Sequence, residues 1–315
     1  MQKAIILGSS GQDGRILYKK LEGLGYEIIG FTKNKSKSTI RKFSDLDLRI
    51  NSKNDVFNIV ERFKPNEIYH LSAYQHSSTE VIADEENEVF NKSIEVNAKS
   101  LQIILESIRL FSKKTSLFYA ASSSIFGDTE TKIQNEDTPF SPIDYYGISK
   151  VTGINICEYY RNKENLNISV GIMFNHESIY RKKKFVSYKI IDAAVKIKKG
   201  EKNELVLGSL DAKVDWGAAE DYVDAMHLIT KKGISENFII ATGKLHTVKD
   251  FVSIVFNYLD LDYKKYVKIK PELITKKNKS LCGDITKIKR ITGWEPKIKL
   301  EEMIIKMVEE YNPED

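Results

Sequence analysis

KAIILGSSGQDG, residues 3–14, sets how the rest of the chain reads. The apolar run Ala4–Leu7 ends at a glycine, and residues 15–24 then alternate with helical spacing. Gly8, Gly11 and Gly14 therefore occupy a turn that leads from a first strand into a first helix. Gly8 permits the tight turn, Gly11 lets backbone approach a pyrophosphate, and Gly14 lets the helix pack close on the strand. Amides exposed at the helix N-terminus then hold the anion. Gly8, Gly11, Gln12, Asp13 and Gly14 are the candidate dinucleotide contacts of this turn.

Working outward, YEIIGF (26–31), NEIYHLSA (66–73), SLFYAASS (116–123), ISVGIMFN (168–175) and ENFIIAT (236–242) read as further strands. Amphipathic stretches at 53–63, 91–112 and 146–162 lie between them. The strands are apolar throughout rather than at every second residue, which predicts a parallel sheet covered on both faces. The expected fold is α/β, a Rossmann-type doubly wound parallel sheet with a smaller C-terminal substrate-binding lobe. Residues 1–175 and about 215–245 form the dinucleotide-binding domain in this reading, and about 176–214 and 246–315 the lobe. The lobe includes a basic stretch, RKKK (181–184), and a final helix near 300–311.

Composition narrows the function classes. Of 315 residues, 41% are apolar and 30% charged, as in an ordinary globular protein. No apolar run approaches the roughly 20 residues of a membrane helix, so no membrane partner is expected. No secretory signal is read at the N-terminus. Two cysteines, Cys157 and Cys282, are too few for a disulfide framework or a zinc cluster, and a cytoplasmic location is expected. His70, His227 and His246 lack ligand spacing, so no metal is assigned. The net charge is +5, but only eight of the 49 cationic residues are Arg, and the 41 Lys are interleaved with 44 acids. That is a solvated face rather than a nucleic-acid stripe, and its modest field suits an anionic small molecule.

Two further constellations carry chemistry. The second strand runs into Gly30-Phe31-Thr32-Lys33, with Lys35 and Arg41 following. Cations stand where an NAD site carries an acid, so Lys33 and Arg41 point to NADP over NAD, with Asp47 and Leu48 as candidate adenine contacts. Tyr146 and Lys150 form a YxxxK pair, and a serine cluster, Ser122-Ser123-Ser124, follows an upstream strand. Residues i and i+4 share a helix face, so the lysine charge is expected to lower the phenol's pKa and free a tyrosinate base. A serine hydroxyl completes the relay while a nicotinamide takes the hydride. Tyr146, Lys150, Ser122 and Ser124 are the candidate catalytic residues, the first two also meeting the cofactor.

With those residues placed, the chain resembles the extended short-chain dehydrogenases that remodel nucleotide sugars, and within them the GDP-mannose 4,6-dehydratase group. The matching stretches include GSSGQDG (8–14), NEIYHLSA (66–73), EVNA (95–98), TPFSPIDYYGISK (138–150), FNHES (174–178), FVSYKI (185–190), LGSLDAKVDWGAAEDYVDAM (207–226) and IIATGKLHTVKDF (240–251). The resemblance implies a nucleotide-diphosphate sugar as substrate, a GDP-hexose above all. It places Leu71, Ala73, His176 and Arg181 at the cofactor and Asn175 near nicotinamide and substrate. Val186, Lys189, Gly208 and Ser209 would line the nucleotide pocket. Read without the resemblance, His176 is a satisfied core histidine, and Trp216 and Trp294 are packing residues. In the group, a basic loop after the second strand reaches a neighbour's cofactor site. TKNKSKSTIRK (32–42) is suited to that, so a homodimer or homotetramer is expected.

The chain departs from the group at two places. Aligned on Gly127, the acid that removes the C5 proton and helps expel the C6 hydroxyl falls at Ser124, while Glu130 and Glu136 lie on the following loop. The arginine before Asp-Trp-Gly is replaced by Val214, and the group's Arg-Pro-x-Glu segment reads ITKKNKSLC, leaving Lys213, Lys276 and Lys277 as point charges. Three readings stand at this stage. One is a dehydratase of the GDP-mannose type. Another is an enzyme that stops at C4, as a 4-ketosugar reductase, 4-epimerase or 4-dehydrogenase. The third is a non-catalytic nucleotide-binding relative, for which the Tyr146–Lys150 pair would have no use.

Overall fold

Short apolar strands alternating with amphipathic helices build a parallel sheet with a helical layer on each side. The computed structural model describes residues 1–31, 52–75, 86–274 and 279–312. The chain runs β1 (Lys3–Leu7), α1 (Gln12–Gly23), β2 (Glu27–Phe31), α2 (Lys53–Phe63), β3 (Glu67–His70), α3 (Glu86–Ile94), a π-helical turn (Glu95–Lys99) and α4 (Ser100–Phe111). Then come β4 (Ser116–Ser122), α5 (Tyr145–Glu164), β5 (Ile168–Met173), β6 (Asn175–Glu177), α6 (Val186–Lys198), β7 (Leu205–Leu207), β8 (Lys213–Ala218) and α7 (Ala219–Lys231). Last are β9 (Asn237–Ile240), β10 (Leu245–Thr247), α8 (Val248–Tyr258), α9 (Tyr263–Tyr266), β11 (Val267–Ile269), α10 (Thr286–Thr292) and α11 (Leu300–Glu309).

The main sheet has the order β2-β1-β3-β4-β5-β9, and every pairing is parallel. Alternate residues of one strand feed opposite faces. Ile5 and Leu7 join Ile68, Leu117 and Tyr119 under α2, α4 and α5. Ala4 and Ile6 join Tyr69 and Phe118 under α1 and α7, where Ile288 and Trp294 also pack. Fully burying such an aliphatic side chain stabilises the fold by about 1.5–3 kcal/mol. Strand order reverses between β1 and β3, and in sheets of this kind ligands sit in the crevice at that switch, beyond the carboxyl ends of the strands. A second sheet, β10-β8-β6, and a β11–β7 pair lie outside the main one. A third core around Trp216 is assembled from α6, α8 and α11.

Two expected elements divide. ISVGIMFN is β5 only as far as Met173, because Asn175–Glu177 leaves the main sheet and pairs with Trp216–Ala218 as β6. The expected helix over 91–112 begins earlier, at Glu86, and is rewound at 95–99. None of the helices among the described residues is long and apolar enough to cross a membrane.

The loop after β4 is a clamp. Gln134 exchanges backbone bonds with Cys282 and Asp284, all at 2.8 Å, and its side chain also accepts from the Cys282 amide. The Glu136 carboxylate accepts the amide of Ile239 on edge strand β9 at 2.9 Å. Lys279 pairs with Asp128 at 3.0 Å and also meets Glu130. Buried Asp215 completes the attachment, accepting from the amides of Thr242, Gly243 and Gly283 at 2.9, 3.0 and 3.2 Å.

Candidate active site and dinucleotide turn

The glycine turn is fastened to the sheet. The amides of Gly8 and Ser9 donate to the Phe31 carbonyl at the end of β2, at 2.9 and 3.1 Å. Gly8 has φ +86°, a conformation that L side chains rarely adopt, and a Cβ there would stand 2.9 Å from the Ser72 amide. At Gly14 a Cβ would stand 2.2 Å from the Gly8 carbonyl oxygen. Both glycines therefore do what the spacing predicts, and the first turn of α1 lies against β1 with its amides at the switch point. Leu71 and Ala73 follow β3 on the same rim, in coil rather than strand.

Beside the turn, β4 and α5 bring the hydroxyl groups together. Asp144 caps α5, accepting from the Gly147 amide at 2.8 Å. A Cβ on Gly147 would meet the Ser124 carbonyl at 2.7 Å, so its absence lets the serine strand approach the start of the helix. The Tyr146 hydroxyl lies close enough to the Ser122 side chain for it to lower the phenol's pKa. Ser122 Oγ in turn donates to Ser124 Oγ at 3.2 Å. Tyr146, Ser122 and Ser124 thus form one hydroxyl cluster.

Lys150 departs from expectation. Its ammonium is buried, donates to the Ala120 carbonyl at 2.7 Å, and lies 4.9 Å from the Tyr119 ring centroid against 5.7 Å for Tyr146. Burial pulls Lys150 down to about 7. Burial likewise pushes Tyr146 up to about 12, against the Ser122 hydroxyl and the Arg181 charge, which lower it. The phenol is therefore not activated by the lysine charge in this arrangement, because one low-dielectric pocket disfavours both charged forms.

The lysine shift has a stability consequence. The folded pKa lies below the unfolded one, so the unfolded chain binds more protons between about pH 7 and 10.5 and Lys150's contribution to stability rises with pH across that window. Lys150→Met is expected to abolish turnover yet raise the melting temperature at pH 6 more than at pH 10. Thermal unfolding at the two pH values checks this; an equal or larger loss of stability at pH 6 contradicts it.

Near the hydroxyl cluster stands a half-buried ion pair. His176 Nε2 lies 3.0 and 3.1 Å from the two Asp13 oxygens, and its Nδ1 lies 2.7 Å from the Phe174 carbonyl. Burial opposes both charges, but their mutual attraction prevails, raising His176 and lowering Asp13 from their ordinary values. The ring stacks on Tyr222 at 4.6 Å. Gln12 Nε2 donates to the His176 carbonyl at 3.0 Å. Arg181 lies over the Phe185 ring at 3.7 Å, with Nε 2.9 Å from buried Glu177. So His176 is both a satisfied, half-buried histidine and a neighbour of the glycine turn.

The remaining candidates are more scattered. Asn175 is exposed on β6, while Val186 and Lys189 lie on the first turns of α6, the lysine exposed. Gly208 lies against Ile274, beside Ser209. Lys213 is exposed on β8, and half-buried Val214 packs into the third core. Lys33, Arg41, Asp47, Leu48, Lys276 and Lys277 lie outside the described residues. Glu130 and Glu136 belong to the clamp. Among the described residues no group of three or more His, Cys, Asp or Glu could hold a metal ion.

One positioning residue carries no signal of its own in the sequence. Asn97, in the π-helical turn, accepts from the Tyr74 amide at 3.0 Å and donates to Ser149 Oγ at 2.8 Å, and Ser149 Oγ donates to the Tyr146 carbonyl at 2.7 Å. The Tyr119 hydroxyl donates to the Asn97 carbonyl at 2.9 Å. EVNA matches the resembling group, but only the rewound helix shows that its asparagine braces α5, the helix that carries Tyr146. Such π turns are frequent at functional sites.

The family described as GDP-mannose 4,6 dehydratase matches residues 5–307. GDP-mannose 4,6 dehydratase 2 of Arabidopsis thaliana is 33% identical over 325 residues, covering 98% of this chain and 86% of that protein. Among solved structures, UDP-glucose 4-epimerase of Thermus thermophilus, in complex with NAD, superposes with a TM-score of 0.83 at 19% identity, covering 98% of each chain. RMD of Pseudomonas aeruginosa, complexed with NADPH, superposes with a TM-score of 0.79 at 17% identity, covering 98% of each.

Proposed function

Because the chain belongs to the GDP-mannose 4,6-dehydratase family, we propose that it is a nicotinamide-dependent enzyme that oxidises or reduces C4 of a nucleoside-diphosphate hexose, with NADP as cofactor and a GDP-hexose as substrate. The observation that carries this reading is the hydroxyl cluster of Tyr146, Ser122 and Ser124 beside buried Lys150, facing the glycine turn. When bound, the nicotinamide supplies or accepts the hydride at C4. Tyr146 moves the C4 hydroxyl proton, taking it on oxidation and returning it on reduction. Ser122 orients the reacting oxygen, and Lys150 meets the cofactor.

Elimination asks for more. Removing the C5 proton and expelling the C6 hydroxyl as water calls for a group that is a base and then an acid, and a carboxyl serves both. Ser124 holds that position, and Glu130 and Glu136 are engaged in the clamp. The chemistry therefore favours a 4-ketosugar reductase, 4-epimerase or 4-dehydrogenase. The dehydratase remains a second reading, favoured by the family match over nearly the whole chain. Mass spectrometry of GDP-mannose and a panel of other sugar nucleotides, incubated with NADP or NADPH, separates the two. A two-hydrogen change, or an isomer at unchanged mass, is expected. A product lighter by one water overturns the C4-only reading, and no conversion of any sugar favours a non-catalytic relative.

NADP rests on Lys33 and Arg41, with one NADPH-bound structural neighbour in support, although five other neighbours hold NAD. We assign residues 1–175 and about 215–245 to dinucleotide binding and about 176–214 and 246–315 to the sugar nucleotide; the separate core of α6, α8 and α11 supports two parts, although Trp216 and Ala218 pack in that core and Ile288 and Trp294 pack on the main sheet. Phe90, Leu110, Ile148 and Tyr159 are exposed on α3, α4 and α5, which supports a homodimer or homotetramer. A monomeric mass by light scattering at micromolar concentration contradicts it.

A further inference from the structure

Asp13 poses an electrostatic problem. It sits in the first turn of α1, where amides and the helix dipole favour an anion. A carboxylate there suits the helix but repels the pyrophosphate that the same turn is read to bind. The bonding of His176 resolves the conflict. Its Nε2 faces both Asp13 oxygens and its Nδ1 faces the Phe174 carbonyl, so with Asp13 ionised each ring nitrogen points at an acceptor. A neutral imidazole has one N–H and would leave one of these contacts without a proton; only the imidazolium donates to both.

The pair also spans two parts of the fold. Asp13 belongs to the glycine turn, while His176 belongs to β6 of the second sheet and stacks on Tyr222 of α7. Gln12 Nε2 doubles the link, meeting Asp13 Oδ1 at 3.3 Å and the His176 carbonyl at 3.0 Å. The charged and titratable groups around the ring are Asp13 from α1, Tyr222 from α7, and Arg181 after β6, which is itself held by Glu177; Tyr146 from α5 senses both Asp13 and Arg181.

We propose that His176, held as an imidazolium between Asp13 and the Phe174 carbonyl, is a positioning residue that cancels the Asp13 charge at the dinucleotide turn and ties that turn to the second sheet. The inference rests on reading this turn as the dinucleotide site. The negative charge at the mouth of α1 is neutralised within the protein, and the helix N-terminus stays available to the incoming phosphates.

Calorimetric titration of NADP into the parent, His176→Gln and the double variant Asp13→Asn/His176→Gln tests it at pH 7.5. The single variant leaves Asp13 uncompensated and is expected to weaken binding by about tenfold. Removing the acid as well is expected to restore most of that loss, which a merely structural role for the histidine would not do. A double variant as weak as the single one overturns the proposal. Parent protein that binds neither NADP nor NAD overturns the functional reading instead. Should His176→Gln fail to fold, the imidazole nitrogen shifts of the unliganded parent decide. Both His176 nitrogens are expected to be protonated at pH 7.5, and a neutral tautomer there overturns the proposal.

Discussion

Tyr146→Phe is expected to lower turnover by about 10²–10⁴-fold while leaving NADP affinity within about twofold of the parent. The substitution removes one oxygen and keeps the ring, so the packing of α5 against β4 is preserved. What disappears is the hydroxyl that meets Ser122 and, in the proposed mechanism, moves the C4 proton. Because the phenol stands at about 12, the parent's turnover in the oxidative direction should also rise with pH until Tyr146 is deprotonated in the complex, whereas reduction, which needs the protonated phenol, should not. Steady-state rates on the converted sugar nucleotide, with calorimetry for the cofactor, check the prediction. A parallel loss of turnover and NADP binding would show that Tyr146 anchors the cofactor site rather than transferring a proton.

Gly14→Ala should act on the opposite property. A methyl group placed 2.2 Å from the Gly8 carbonyl and 2.6 Å from the Ser9 Cα meets backbone on both sides, so no side chain can rotate away to admit it. The helix must lift off the strand or the turn must open. Either movement displaces the amides from the switch point and costs on the order of 3 kcal/mol. Expressed as cofactor binding, this is a loss of about a hundredfold. Calorimetry measures the loss and circular dichroism reports whether the fold persists. Affinity within about threefold of the parent would show that the turn is not the anion site.

The glycine turn, the strand–helix alternation and the Tyr146–Lys150–Ser122 grouping were legible in the sequence because each rests on local spacing. Gly8 and Gly14 announce a backbone geometry, and Tyr146 and Lys150 lie one helical turn apart. What escaped depends on burial and on distant segments meeting. Spacing puts Lys150 near the phenol, but not its ammonium on the Ala120 carbonyl or its low proton affinity, which follow from β4 closing over it. Asp13 and His176 are separated by 163 residues, and their pairing needs β6 to cross to the second sheet. Glu130 and Glu136 read equally well as acids or as surface charges until the clamp is seen. Asn97 is visible only through the path of its backbone.

That path has a consequence in the arithmetic of insertions and deletions. A π turn holds one residue more than the α-helical route over the same span. Deleting any one residue of Glu95–Lys99 would let α3 and α4 run on as a single regular helix, so the local backbone would lose nothing. Because the α-helical route covers that span with one residue fewer, α3 and α4 would keep their positions and their phase, and what would change is the turn itself. Asn97 would lose the place from which it meets Tyr74 and Ser149, while the apolar stripe of α4, with Leu101, Ile104, Leu105 and Ile108, would stay on the sheet. The surplus residue thus serves the placement of one asparagine rather than the packing of the helices on either side. A single-residue gap in this segment is therefore expected to spare the fold and cost the bracing of α5.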